Sequence, residues 1–485
     1  MPSTPANRLS AGKLGLLAAL ASLALAGTSF ATDGTWTSTA SGVQAWTTPT
    51  NWSSSIVGGG INSTVNITSN ITTTTNVDLS AGSQTVGILN IGDSSGTSPF
   101  IIQTGTLTFN GTGGAQINMN QGGGNTISAA TVLDSNLTIT NNVAGTLTLS
   151  GAISGSGAIT QNAGRVYISQ TNTFAGGYIL NNGTVAMGQT ASMGTGTWTF
   201  NNGTLENTST NARTPGNAIN LGGSLAKTGV GLITFGGTVT LTANSTLTTT
   251  TTLNISGNIT GAYSLTKAGG DSMTLSRAAG NAYGGGTIVS AGTLLVSNTS
   301  GSGTGTGSVT VDAAGILGGT GIISGATGVS GSLRPGTTGI GALTVTNDVT
   351  WNAGTAWVFE LGTSAASLSA ANTGGSTQDQ LLLTGAGNDF LKGTGTGFTF
   401  NFGGTGAQGW YKLVDWASAT TFVGGDFSVA NLGTGLTGSF VVDAGTSALY
   451  LQVVPEPGTW SLLALGFLVL ILARFRAVKA ESSQR

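Results

Sequence analysis

The chain contains neither cysteine nor histidine. Without Cys there are no disulfides, thiol nucleophiles or thiolate metal ligands, and without His there is no imidazole base and no common zinc set. Charge is scarce too: only 6% of the residues are charged, against roughly a quarter in an ordinary soluble domain. Between Thr32 and Val454 eight basic residues, from Arg165 to Lys412, face fourteen acidic ones, so no basic patch exists to hold nucleic acid. Any chemistry must therefore rest on carboxylates or hydroxyls. The fold must hold by burial and backbone hydrogen bonds alone.

What is abundant is Gly, 82 of 485 residues, together with Thr, Ser and Asn. Disordered chains lack β-branched residues and carry high net charge; this one is rich in Val, Ile and Thr at a net charge of −2, which points to order built from strands. Short alternating segments such as Thr106-Leu107-Thr108-Phe109, Leu137-Thr138-Ile139-Thr140 and Thr146-Leu147-Thr148-Leu149 are separated by Gly and Asn clusters about every ten residues. No stretch of the body shows a helical period. The class is all-β.

Internal repeats decide the architecture. Gly176-Gly177-Tyr178-Ile179-Leu180-Asn181-Asn182-Gly183-Thr184-Val185 aligns with Gly285-Gly286-Thr287-Ile288-Val289-Ser290-Ala291-Gly292-Thr293-Leu294, with glycines and apolar positions coinciding. A shorter phrase also recurs, Leu225-Ala226-Lys227-Thr228-Gly229 against Leu265-Thr266-Lys267-Ala268-Gly269. Units that cannot bury their apolar face alone complete core and ladders by stacking. The expectation is a right-handed parallel β-helix, with a series of sandwiches as the other arrangement that Asn-Gly corners such as Asn182-Gly183 and Asn202-Gly203 allow.

The repeat wording resembles the autotransporter-associated β-strand repeat. It stands here as Asn172-Thr173-Phe174-Ala175-Gly176-Gly177 with Asn182-Gly183-Thr184-Val185, and more closely as Asn281-Ala282-Tyr283-Gly284-Gly285-Gly286-Thr287 with Ala291-Gly292-Thr293-Leu294. The stretch from Leu333 to Gly385 is similar to other segments of that family. The resemblance implies a β-helical, adhesin-like surface body.

Both ends read as targeting segments. Arg8 and Lys13 precede an apolar run from Leu14 to Ala26 and small-residue sites at Ala24-Leu25-Ala26 and Ser29-Phe30-Ala31, the layout of a secretory signal that engages the translocon and signal peptidase. At the other end Val454-Pro455-Glu456-Pro457-Gly458-Thr459 leads into an apolar stretch from Trp460 to Ala473, followed by Arg474, Arg476 and Lys479. As a helix that stretch covers roughly 21 Å, short of the about 30 Å hydrocarbon core, so Trp460 and snorkelling arginines must extend it. The three cations should stay cytoplasmic, placing the body outside.

Pro455-Glu456-Pro457, the apolar helix and the terminal cations resemble the PEP-CTERM sorting signal of Gram-negative bacteria, although the basic end is looser than that family's compact Arg run. The resemblance implies that Pro455, Glu456 and Pro457 are recognised by an exosortase, a membrane enzyme that removes the helix and passes the protein to the cell surface or extracellular matrix, where exopolysaccharide is a possible partner.

The expected organisation is a signal peptide at 1–31, an N-terminal β-repeat region at 32–150, the repeat solenoid at 151–350, a C-terminal β cap at 351–453, and a sorting tail at 454–485 with a transmembrane helix at 460–473. The aromatic groups Trp36, Trp46 and Trp52, and Trp410, Tyr411, Trp416, Phe422 and Phe427, read first as end caps and second as carbohydrate platforms. The acids Asp78, Asp93, Asp134, Glu206, Asp271, Asp312, Asp348 and Glu360 fall at expected strand ends and turns, where Asp satisfies backbone donors. No catalytic residue, cofactor site or metal site is assigned, and the expected function is that of a non-enzymatic surface or matrix protein. The alternative is a secreted polysaccharide-binding or polysaccharide-cleaving β-helix, which needs two carboxylates about 5 to 9.5 Å apart on stacked rungs.

Overall fold

The computed structural model describes residues 31–456 apart from 80, 81, 97 and 405, together with residues 458 and 465–474. The body is a parallel β-solenoid of about 13 turns. A turn has three sides, in places each with its own short strand, while Trp198–Asn207, Ile219–Gly229, Thr287–Val296 and Val309–Gly319 each run across two of them. Leu137–Asn141, Thr146–Leu149 and Ile153–Gly155 make one turn, and Ile159–Ala163 and Arg165–Ile168 begin the next directly above it. Leu137 pairs with Ala115 below and Ile159 above, all in parallel register.

Strict alternation makes this stacking favourable. In Leu137–Asn141 the first, third and fifth residues are buried and the two threonines face outward, and Asn125–Ile127, Val239–Leu241 and Leu253–Ile255 repeat the pattern. Inward Leu, Ile, Val and Phe from all three sides merge into one apolar core that runs from Trp36 to Val453. Neighbouring turns saturate each other's backbone groups, so the sandwich arrangement is not found.

Corners demand backbone that only Gly supplies. Gly177 has φ +86°, and a Cβ there would stand 2.1 Å from the carbonyl oxygen of Thr197 in the next turn. Gly286 holds the equivalent repeat position at φ +90°. The repeated glycines are thus corner residues crossed closely by the turn above.

Both ends of the stack are closed by aromatic rings. At the first turn Trp36, Trp46 and Trp52 are buried, with Trp52 packed edge-on to the other two at 5.2 and 5.1 Å. Toward the last turns Trp351 stacks on Trp357 at 3.9 Å, with Phe398, Phe400 and Phe422 around the pair. Parallel turns continue through Phe398–Gly404 and Phe427–Ala430. The antiparallel strands Leu436–Asp443 and Ala448–Pro455 then pair with each other, and the second joins Gly409–Asp415 on one side of the stack. Reversing strand direction ends the parallel ladder, so no further turn of the same kind can be added.

Candidate functional site

The segment expected to be a sorting motif begins at the end of the final strand. Pro455 is the last residue of the final strand, opposite Leu436, and the Glu456 N–H donates to the carbonyl of Gly435 at 2.9 Å. Val454, Pro455 and Glu456 are all exposed, and Pro457 lies outside the described residues. Residues 465–474 are helical and exposed, Arg474 among them; Arg476 and Lys479 also lie outside the described residues, as do positions 1–30 of the expected signal peptide. Among the described residues no helix is long and apolar enough to cross a membrane.

The carboxylates act as ties within the fold. Asp93, fully buried, accepts from the N–H groups of Ile71, Ser95 and Ser98 at 3.2 to 3.4 Å. Asp348 accepts from the N–H of Asp389, whose own carboxylate accepts from that of Ala419, linking successive turns. Glu206 pairs with Arg165 through both oxygens. Among the described residues no group of three acidic side chains comes close enough to hold a metal ion.

The densest charged cluster joins Asp379, Glu360 and Arg334. Asp379 is buried, and its two oxygens accept separately from the N–H of Gly341 at 2.8 Å and of Glu360 at 2.9 Å. Burial pushes its carboxyl up to about 6, aided by the nearby Glu360 charge and opposed by the two donated hydrogen bonds and by Arg334. Arg334 approaches Glu360 at 3.6 Å on the surface. With each oxygen accepting from backbone and the side chain buried, Asp379 is a clamp across the loop 362–378.

The aromatic groups singled out in the sequence do not form exposed platforms. Trp36, Trp46, Trp52, Tyr411, Trp416, Phe422 and Phe427 are buried, and only Trp410 of the second group is partly open. Trp46 and Trp52 donate their indole N–H groups to the carbonyls of Gly58 and Trp46.

Two sets of residues escaped the sequence reading. Lys227 and Lys267 are buried at the solenoid corners. The Lys267 ammonium donates to the carbonyls of Ala268, Gly269 and Ala291, each at 2.9 Å, and burial pulls it down to about 8 against the opposing pull of Asp271. Lys227 donates to Gly231 O and Thr251 Oγ1, and burial lowers it in the same direction. The signal was present as the recurring Leu-x-Lys-x-Gly phrase.

The second set is a column of outward amides. Asn90 donates to Asn66 at 2.7 Å and Asn118 to Asn90 at 3.0 Å; further along the same side Asn181 donates to Asn162 at 2.9 Å and Asn201 to Asn181 at 2.8 Å. A small cleft of about 170 Å³, lined by Thr68, Asn90, Ile91, Asn118, Asn120 and Gln121, opens beside the first group. Neither a family model nor a curated protein matches this chain.

Proposed function

We propose that this is an exported structural or adhesin-like protein of the cell surface or extracellular matrix, whose work is done by an extended polar surface. The observation that carries the reading is the exit point at Pro455. The resembled recognition tripeptide begins at the last paired residue of the body, exposed, so a membrane enzyme could part body from tail without removing a strand.

In this reading the signal segment at 1–31 engages the translocon and signal peptidase. The helix around 460–473 holds the chain in the inner membrane, with Arg474, Arg476 and Lys479 on the cytoplasmic side. An exosortase then acts at Pro455, Glu456 and Pro457, and the released solenoid meets exopolysaccharide at the surface. Winding is right-handed, as crossovers between parallel strands are in about 98% of cases.

Labelling intact native cells with an antibody against the body tests the placement. The reading expects labelling without permeabilisation, and labelling only after permeabilisation would contradict it.

A further inference from the structure

One side of the solenoid carries an outward array with a fixed repeat and no charge. It is built from nine successive parallel strands, from Thr64–Ile67 to Val239–Leu241, with register shifts after Ile139 and after Phe200. Its outer column carries the amides Asn66, Asn90, Asn118, Asn162, Asn181 and Asn201, and its inner column is mainly threonine, including Thr138, Thr160, Thr199 and Thr240. None of the outward positions on this side is Lys, Arg, Asp or Glu; the long strand Trp198–Asn207 carries Glu206 only after it has turned onto the adjoining side. The adjoining side differs, since Arg165 and Glu206 stand there as an ion pair.

Each amide has two N–H donors and an oxygen with two lone pairs. A bond along the column uses one donor of one residue and one lone pair of the next, always with Nδ2 directed to the preceding turn. Asn118 turns its second donor to Gln116 Oε1 at 3.5 Å, and Thr140 stands in the column between Asn118 and Asn162. The other amides keep a donor or a lone pair for a partner, at multiples of the strand spacing of about 4.7–4.9 Å. A partner that engages several of them must repeat its own donors and acceptors at that interval.

We infer that this amide–threonine side is a self-association surface, and that its partner is the same side of a second copy of this chain. A second copy matches the interval by construction, and a two-fold axis makes the array complementary to itself. The absence of charge removes repulsion between the two copies. Nine strands at the sheet spacing give a patch roughly 40 Å long and about 12 Å wide, so a pair of copies covers on the order of 1,000 Å², the lower end for a specific contact. Such a contact is weak for one pair in solution and strong where copies are crowded in a layer. The inference stands whether or not the tail is removed.

The absence of Cys gives a clean test. Thr160 lies on the central strand of the nine and Thr148 on the adjoining side, so single variants Thr160→Cys and Thr148→Cys of the full chain in nonionic detergent are oxidised and compared. The inference expects disulfide-linked dimers from Thr160→Cys at least tenfold in excess over Thr148→Cys. It also expects the double variant Asn118→Asp/Asn181→Asp, which loses two column hydrogen bonds and is compared well below its own melting temperature, to weaken self-association by sedimentation at least tenfold. Equal cross-linking at both positions, or a strict monomer at every concentration, overturns the inference. If the Asp variant fails to fold, the Cys pair decides alone. Retention of the monomer on a neutral glucan, lost in the Asp variant, would assign the side to saccharide and likewise overturn it.

Discussion

The carboxamides of Asn172 and Asn281 do the same work in their respective turns. The oxygen of Asn172 accepts from the N–H of Ile153 at 2.7 Å in the turn below while its Nδ2 donates to the carbonyl of Ser192 at 2.7 Å above. Asn281 accepts from Ile259 at 2.9 Å and donates to Gly303 at 2.7 Å. Each side chain stands in for a peptide group where the strand is interrupted, and each is the first residue of a repeat motif.

Replacing Asn281 by Ala leaves the Ile259 N–H and the Gly303 carbonyl unpaired in the interior. The expected loss is about 2–4 kcal/mol, with faster hydrogen exchange concentrated at Ile259. Denaturant titration and exchange mass spectrometry check both parts, and an unchanged midpoint would refute the ladder role.

Lys267→Met leaves three corner carbonyls without their shared cation and should cost about 2–5 kcal/mol. Its pH signature has a definite sign. The folded value of about 8 lies below the ordinary 10.5, so the unfolded chain binds more protons between the two. Stability from this group rises with pH through that window and is lost as pH falls through 8. Melting temperatures from pH 7 to 9.5 should show a shallower rise in Lys267→Met than in the parent chain.

Asp379 has the opposite sign. Its folded value of about 6 lies above the ordinary 3.8, so the folded chain holds the extra proton, and stability from this group is lost as pH rises through 6. With no histidine, no other side chain has an ordinary value between pH 5 and 7. The chain should melt higher at pH 5 than at pH 7, and Asp379→Asn should shrink that difference while lowering stability by about 1–3 kcal/mol for one lost backbone bond.

Two glycines predict contrasting outcomes. Gly177→Ala meets both a positive φ and the Thr197 carbonyl, so it should destabilise by about 3 kcal/mol or more. Gly328 lies within the strand Thr327–Val329 with open space where its Cβ would be, so Gly328→Ala should stay within about 1 kcal/mol of the parent. Thermal melting of the two variants separates corner demand from composition.

The solenoid was legible because period-two alternation and repeated glycines both report local geometry. The strand from Leu137 to Thr140 and the equivalence of Gly177 and Gly286 could be read from spacing alone, whereas the corners were expected at Asn182-Gly183 and Asn202-Gly203, the second of which lies within the strand Trp198–Asn207. The aromatic groups read first as caps and only second as platforms, and the choice waited on burial because a sequence does not show which side of a strand a ring such as Tyr411 takes. The buried Lys227 and Lys267 ran against the expectation that lysine faces water. Each finds local carbonyls at its own corner and one partner in the next turn, Thr251 Oγ1 for Lys227 and the Ala291 carbonyl for Lys267, which only the stacking brings near. The column from Asn66 to Asn201 was hidden for a similar reason: its members lie about twenty or more residues apart and become neighbours through register.

In the proposed reading the body is an exported surface protein parted from its tail at Pro455, Glu456 and Pro457. Mass spectrometry of the protein recovered from native cells and medium, resolving both termini, tests it most directly. The account predicts an N-terminus near Gly27 or Thr32 and a C-terminus at or beside Pro455 to Pro457. Retention of Trp460 to Arg485 in the membrane fraction would contradict it and leave a tail-anchored envelope protein.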